Sequence, residues 1–167
     1  MSLTNTPSPD QIKRLPKALL HDHLDGGLRT ETIIELAQKI GYDKLPTQDP
    51  VKLAQWFEES CNSGSLVRYL ETFSHTIAVM QSKEAIVQVA RECAIDLARD
   101  GVVYVEVRGA PELFTEKGLT LNEVIEATTE GYKQGMVEAE KEGRKIRVES
   151  LLCGMRQNNK SQETAAA

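Results

Sequence analysis

Three short runs of β-branched and apolar residues, separated by long stretches of helical periodicity, limit this chain to few folds. Lys17–His21, Val102–Arg108 and Lys145–Gly154 read as strands. Between the second and third lies one long helical stretch. It opens at Thr120-Leu121-Asn122-Glu123, a capping-box pattern with Thr120 as cap and Glu123 reaching back, and runs to about Glu142 before Gly143. A strand, a long helix and a strand in succession predict parallel pairing, because parallel neighbours need a crossover, which is nearly always right-handed.

Four helical segments separate the first two strands. In Thr30–Gly41 Thr30 can cap the start and Gly41 can close the end. A loop over Pro46–Pro50 leads into Val51–Glu59, a short amphipathic helix holding the only tryptophan, Trp56. After the break at Asn62-Ser63-Gly64-Ser65, the run Leu66–Met80 sets Leu66, Leu70, Phe73, Ile77 and Met80 on one stripe. Ser82 to about Asp100 follows, with a broad apolar face closed by Gly101. The first residues, to about Gln11, are rich in Ser, Thr, Asn and Pro without apolar periodicity. We therefore expect a flexible arm over 1–14 and an ordered domain over 15–167.

The most informative stretch for chemistry is Leu19-Leu20-His21-Asp22-His23-Leu24-Asp25-Gly26-Gly27. If strand geometry runs through it, His21, His23 and Asp25 share one face and Asp22 and Leu24 take the other. Two neutral imidazoles are preferred ligands for zinc and related divalent metals, and the glycines permit a sharp exit from the strand. The spacing by itself also fits a hairpin end with two solvated histidines. On the second strand Tyr104, Glu106 and Arg108 share a face opposite Val103, Val105 and Val107. Glu106 and Arg108 are expected to pair, since an unpaired buried charge is costly, and a structural ion pair and a catalytic role both stay open. His75 stands alone in its helix, which fits a surface or satisfied core residue better than a ligand.

Composition narrows the partners. With 167 residues, 40% hydrophobic and 27% charged, the chain can build one domain with a sizeable core. A net charge of −5 and no long Lys/Arg block argue against nucleic acid and favour a small molecule. The apolar runs fall far short of the roughly 18 residues a membrane span needs. The first nine residues lack the apolar core of a signal peptide, so a cytoplasmic location is expected. Cys61, Cys93 and Cys153 form no C-x-x-C pair, which suits reduced thiols, with Cys93 and Cys153 as buried structural ones. The final Ser161–Ala167 looks like a capped helix start with nothing after it, although helices below about 12 residues are marginal alone. Three β/α units and a fourth element cut short suggest part of a larger barrel, since a complete (β/α)8 barrel takes about 250 residues.

The stretch Leu15-Pro16-Lys17-Ala18-Leu19-Leu20-His21-Asp22-His23-Leu24-Asp25-Gly26 resembles the first-strand signature of the adenosine deaminase family. Gly101-Val102-Val103-Tyr104-Val105-Glu106-Val107-Arg108 and Leu151-Leu152-Cys153-Gly154-Met155-Arg156 resemble its second and third barrel strands, in the same order. The resemblance implies an α/β fold, the N-terminal half of a (β/α)8 TIM barrel with three parallel strands and intervening helices. It also implies one Zn2+ per complete barrel and hydrolytic deamination of adenosine or 2′-deoxyadenosine to inosine and ammonia in purine salvage. By this resemblance His21 and His23 are metal ligands, and Asp25 accepts a hydrogen bond from the ribose 5′-hydroxyl. His23, Asp25, Tyr69, Leu70 and Phe73 border the substrate, the last three from a helix that lids the pocket, with plain core packing as their other reading. A carboxylate at Asp25 would repel a 5′-phosphate at close range, so a purine nucleoside is expected over a nucleotide.

The sequence also departs from the family. The His-Ala-Gly-Glu motif, with the third zinc histidine and the general-acid glutamate, is absent. So is the Ser-Leu-Asn-Thr-Asp-Asp type stretch, with the last zinc ligand and the water-orienting aspartate. No catalytic residue is therefore expected in this chain, and two histidines are fewer than the three protein ligands usual for catalytic zinc. The expectation is the N-terminal part of an adenosine deaminase, truncated after the third strand and inactive alone. The alternative is a non-catalytic half-barrel, a binding or self-association module that covers its exposed sheet edges with a second copy or another chain.

Overall fold

The computed structural model describes residues 6–167, so the first five residues of the expected arm lie outside the described residues. The helices are α1 (Pro9–Arg14), α2 (Thr30–Ile40), α3 (Pro50–Cys61), α4 (Leu66–Val79), α5 (Lys83–Arg99), α6 (Leu121–Lys141) and α7 (Ser161–Ala166). The strands β1 (Lys17–His23), β2 (Val102–Gly109) and β3 (Arg147–Leu152) pair in parallel in the order β1-β2-β3. Helix α1 has no counterpart in the periodicity because it buries none of its residues. It forms from a capping box, in which Ser8 Oγ accepts from the Gln11 N–H and the Gln11 side chain accepts from the Ser8 N–H. The Thr120–Glu123 box is present at the start of α6. Two expected caps are not: Thr30 is the first residue of α2, and neither Arg29 nor Lys160 caps its helix with a side chain.

Helices α5 and α6 cover one face of the sheet, where Val105, Val107 and Val148 join Ile86, Val89, Ala90, Val124 and Ala127 in the core. The two helices meet at backbone distance. A methyl group on Gly131 would sit 2.6 Å from the Ala90 Cβ, and one on Gly135 would sit 2.7 Å from the Ala94 Cβ, so only hydrogen fits at either position. Tyr104, Glu106 and Arg108 point to the opposite face and are half-buried. The β1–β2 ladder is irregular between Leu19 and Asp22, where β1 carries one residue more than the facing Val105–Val107 segment. Leu20 and His21 are consequently both exposed.

Helices α2, α3 and α4 pack together beyond the end of β1. There His75 is buried, its Nδ1 lies 2.9 Å from the Tyr42 hydroxyl, and its ring is 5.3 Å from that of Trp56. It is a satisfied core histidine, as its isolation in the sequence suggested. Desolvation holds its pKa below the ordinary 6.5, against the opposing charge of Glu71.

Candidate functional site

Strand β1 ends at His23, and a 3-10 turn, Leu24–Gly26, follows directly. Asp25 therefore does not reach the histidines by strand alternation, as the period-2 reading expected. The turn carries it inward, burying Leu24 and Asp25 while both histidines stay exposed. The three side chains still converge. Nε2 of His21 lies 3.3 Å from Nε2 of His23, and Nδ1 of His23 lies 4.0 Å from Oδ1 of Asp25.

The 3.3 Å separation has a chemical meaning. Two Zn–N bonds of about 2.0–2.1 Å at a tetrahedral angle hold their nitrogens about 3.3–3.4 Å apart. Two neutral imidazoles can equally share one N–H···N bond at this distance. Among the described residues no cluster of three His, Cys, Asp or Glu side chains could hold a metal ion. The histidine pair thus fits two positions of a metal site and does not complete one.

Burial raises the pKa of Asp25, and a backbone hydrogen bond and the nearby His23 lower it by less. Its Oδ1 is buried without a hydrogen-bond partner among the described residues. Arg108 faces His23 across the β1–β2 ladder, and its Nε is likewise buried without an acceptor. The expected Glu106–Arg108 pair does not form. Glu106 instead accepts from the Tyr104 hydroxyl at 3.0 Å. The rim therefore carries an acceptor and a donor that the protein itself leaves unpaired, which is the arrangement of a polar ligand site rather than of a core.

His23, Asp25, Tyr69, Leu70 and Phe73 all line one cavity of about 420 Å³, and His21 stands just outside its wall. Helix α4 roofs the cavity, with the rings of Tyr69 and Phe73 packed edge to face at 5.4 Å. Arg108, for which the sequence leaves a catalytic role open, also lines it, together with Ala110, Leu113, Cys153 and Met155, which the sequence does not mark as site residues. The sequence suggests a buried structural thiol at Cys153, whereas the structure makes it a partly buried wall residue. Cys93 does lie against the core, where burial pushes its thiol up to about 12. The missed signal was positional: these wall residues sit at or just beyond the carboxyl ends of β2 and β3, where parallel β/α folds place their sites.

A model of the family described as adenosine deaminase matches residues 16–167. This chain belongs to the adenosine deaminase family. It is 58% identical over 164 residues to adenosine deaminase 1 of Streptomyces coelicolor, covering 98% of this chain and 41% of that relative. The adenosine deaminase of Mycolicibacterium gilvum is 51% identical, with 98% and 45% covered. The chain thus spans less than half the length of these curated relatives. Among solved structures, the Arabidopsis N6-mAMP deaminase MAPDA matches with a TM-score of 0.73 at 25% identity, over 94% of this chain and 47% of that one. Arabidopsis ADAL complexed with GMP gives the same TM-score and identity over 46% of its chain. The three parallel strands and their helices are accordingly the N-terminal half of a (β/α)8 barrel of the deaminase type.

Proposed function

We propose that this chain forms one wall of a pocket for hydrolytic deamination of adenosine and 2′-deoxyadenosine to inosine and ammonia, in cytoplasmic purine salvage. The observation that carries the reading is the buried, unpartnered Asp25 oxygen on a cavity wall 4.0 Å from His23. In this reading Asp25 accepts from the ribose 5′-hydroxyl, Tyr69, Leu70 and Phe73 cover the nucleoside, and His21 and His23 supply two nitrogens to a zinc ion. Such an ion would provide hydroxide from its bound water near neutral pH. The preference for a nucleoside follows from charge, since a carboxylate at the 5′ position repels a phosphate and desolvation magnifies the clash. Among the described residues no helix is long and apolar enough to cross a membrane.

The wall lacks a general acid and a full ligand set, so the chain alone is expected to be inactive. The test is complementation. The purified chain is mixed with the remaining length of the Streptomyces coelicolor relative, and conversion of adenosine is followed by ultraviolet absorbance. No conversion by either part and conversion by the mixture is the expected result. Turnover by the chain alone would overturn the inactivity, and a folded mixture without turnover would overturn the pocket.

A second reading, a half-barrel that pairs with itself, is favoured by Leu20 and Leu152, which are 59% and 45% exposed on the two edge strands. Sedimentation decides it: a defined dimer supports self-association, while a monomer or polydisperse aggregate speaks against it.

A further inference from the structure

Two buried polar side chains outside the histidine–carboxylate cluster hold backbone that lines the cavity. Gln81, just beyond α4, is 6% exposed. Its Nε2 donates to the Ile77 carbonyl at 3.0 Å and to the Leu113 carbonyl at 2.9 Å, and its Oε1 accepts from the Glu116 N–H at 3.1 Å. Glu112 lies in the 3-10 turn Pro111–Phe114 after β2 and is also 6% exposed. Its Oε1 accepts from the Met155 N–H at 2.5 Å, while its Oε2 is buried without a partner.

Ile77, Leu113 and Met155 all line the cavity. Gln81 therefore ties the roof to the turn after β2, and Glu112 ties that turn to the loop after β3. The two ties fall on adjacent residues, the Leu113 carbonyl and the Glu112 side chain, so three walls far apart in sequence are joined through one turn. A carboxylate with one oxygen satisfied and the other buried bare is a costly way to fix a loop. Nearby Gly154 has the same character. A methyl group there would meet the Ser161 Cβ at 2.9 Å, so the start of α7 leaves no room for a side chain next to Met155.

We propose that Gln81 and Glu112 are positioning residues that set the width of this cavity, holding the α4 roof and the Met155 loop at the separation a purine nucleoside requires. The inference rests on the nucleoside reading above. The experiment uses this chain with nitrogen-15 and methionine-methyl labels, comparing Glu112→Ala, Glu112→Gln and Gln81→Met with the unaltered sequence. Adenosine is the probe. Glu112→Ala is expected to speed hydrogen exchange at the Met155 amide and to raise the adenosine Kd, each by about tenfold, and to shift the Met155 methyl while those of Met80 and Met136 stay in place. Glu112→Gln keeps an oxygen that accepts the same bond and should restore exchange and affinity to within about twofold. Gln81→Met should raise the Kd without changing Met155 exchange.

Unchanged Met155 exchange in a folded Glu112→Ala chain would overturn the proposal. So would unaltered adenosine affinity in both the Ala and Met variants, or outright unfolding of Glu112→Ala, which would make the residue structural. If the unaltered chain binds no adenosine, the nucleoside reading fails. The Met155 amide and methyl then still decide whether Glu112 fixes that wall.

Discussion

The helix-covered face of the sheet and the rim at its carboxyl ends are built on opposite principles. On the covered face Val105 and Val107 are fully buried, and α5 meets α6 so closely that Gly131 and Gly135 have room only for hydrogen. Among the described residues, no buried polar side-chain atom of α5 or α6 is left without a partner. At the rim Asp25, Arg108 and Glu112 each keep a buried polar atom without a partner, around a cavity of about 420 Å³. The first region holds the fold together by exclusion of space. The second gives up stability to keep donors and acceptors free, which is the usual relation between a scaffold and the site it carries. Substitutions in the two regions should therefore separate stability from binding.

The largest effect is expected on the covered face. Gly131→Ala adds a methyl 2.6 Å from the Ala90 Cβ and closer still to the α5 backbone, and overpacking of this kind costs about 1–3 kcal/mol. Alanine gains up to about 1 kcal/mol in helix propensity, so a net loss of about 1 kcal/mol, and at most about 2, should appear in urea unfolding. An unchanged midpoint would show that the helices can part at no cost and would remove the contrast. The rim should behave the other way. Asp25→Asn removes a buried charge with an unpartnered oxygen, so stability should hold or rise by up to about 1 kcal/mol while adenosine affinity falls at least about tenfold. A large loss of stability instead would place Asp25 among the structural residues.

His75 lies behind the rim, on the buried side of α4, and offers a graded test. Its folded-state pKa lies below 6.5, so below that pH the unfolded chain binds more protons than the folded one. The stability it contributes is complete above pH 6.5 and is lost as pH falls toward the folded value. Protonation also makes both ring nitrogens donors, so Nδ1 can then only donate to the Tyr42 hydroxyl. Fluorescence of Trp56, the only tryptophan, should change over this range together with the urea midpoint, and His75→Phe should flatten both. The smallest effect belongs to the exposed Arg99–Glu142 pair, at 2.6 Å. Arg99→Ala should leave the unfolding midpoint within experimental error, because water screens such pairs. A clear shift there would mean that the outer surface of α5 and α6 carries more of the fold than their shared core.

Much of the architecture was legible because local signals and the global fold agreed. The β-branched run at Val102–Arg108, the Thr120–Glu123 box and the glycine closing α2 each specify an element within a few residues, and parallel pairing followed from helix-length connections. Helix α1 escaped because a helix that buries nothing leaves no apolar period to read. The glycines of α6 escaped for a different reason. Their role depends on how near α5 comes, and distance between helices is not written in either one.

For the site, the sequence by itself determined which side chains are the candidates for the chemistry. Two histidines and an aspartate at fixed spacing also fit a solvated strand end, and it is the resemblance to the family that singles them out and names Tyr69, Leu70 and Phe73 as the roof. Only the tertiary structure decided how they meet. The strand stops at His23, so a 3-10 turn rather than alternation delivers Asp25, and Arg108, Cys153 and Met155 join from strands that pair at long range. Arg108 finds no partner on its own strand, whereas Glu112 finds one across 43 residues of chain, at the Met155 amide. The physical reason is one of range. Periodicity and capping act over a few residues and can be read in order, while the pairing or isolation of a buried polar group depends on what the folded chain brings beside it.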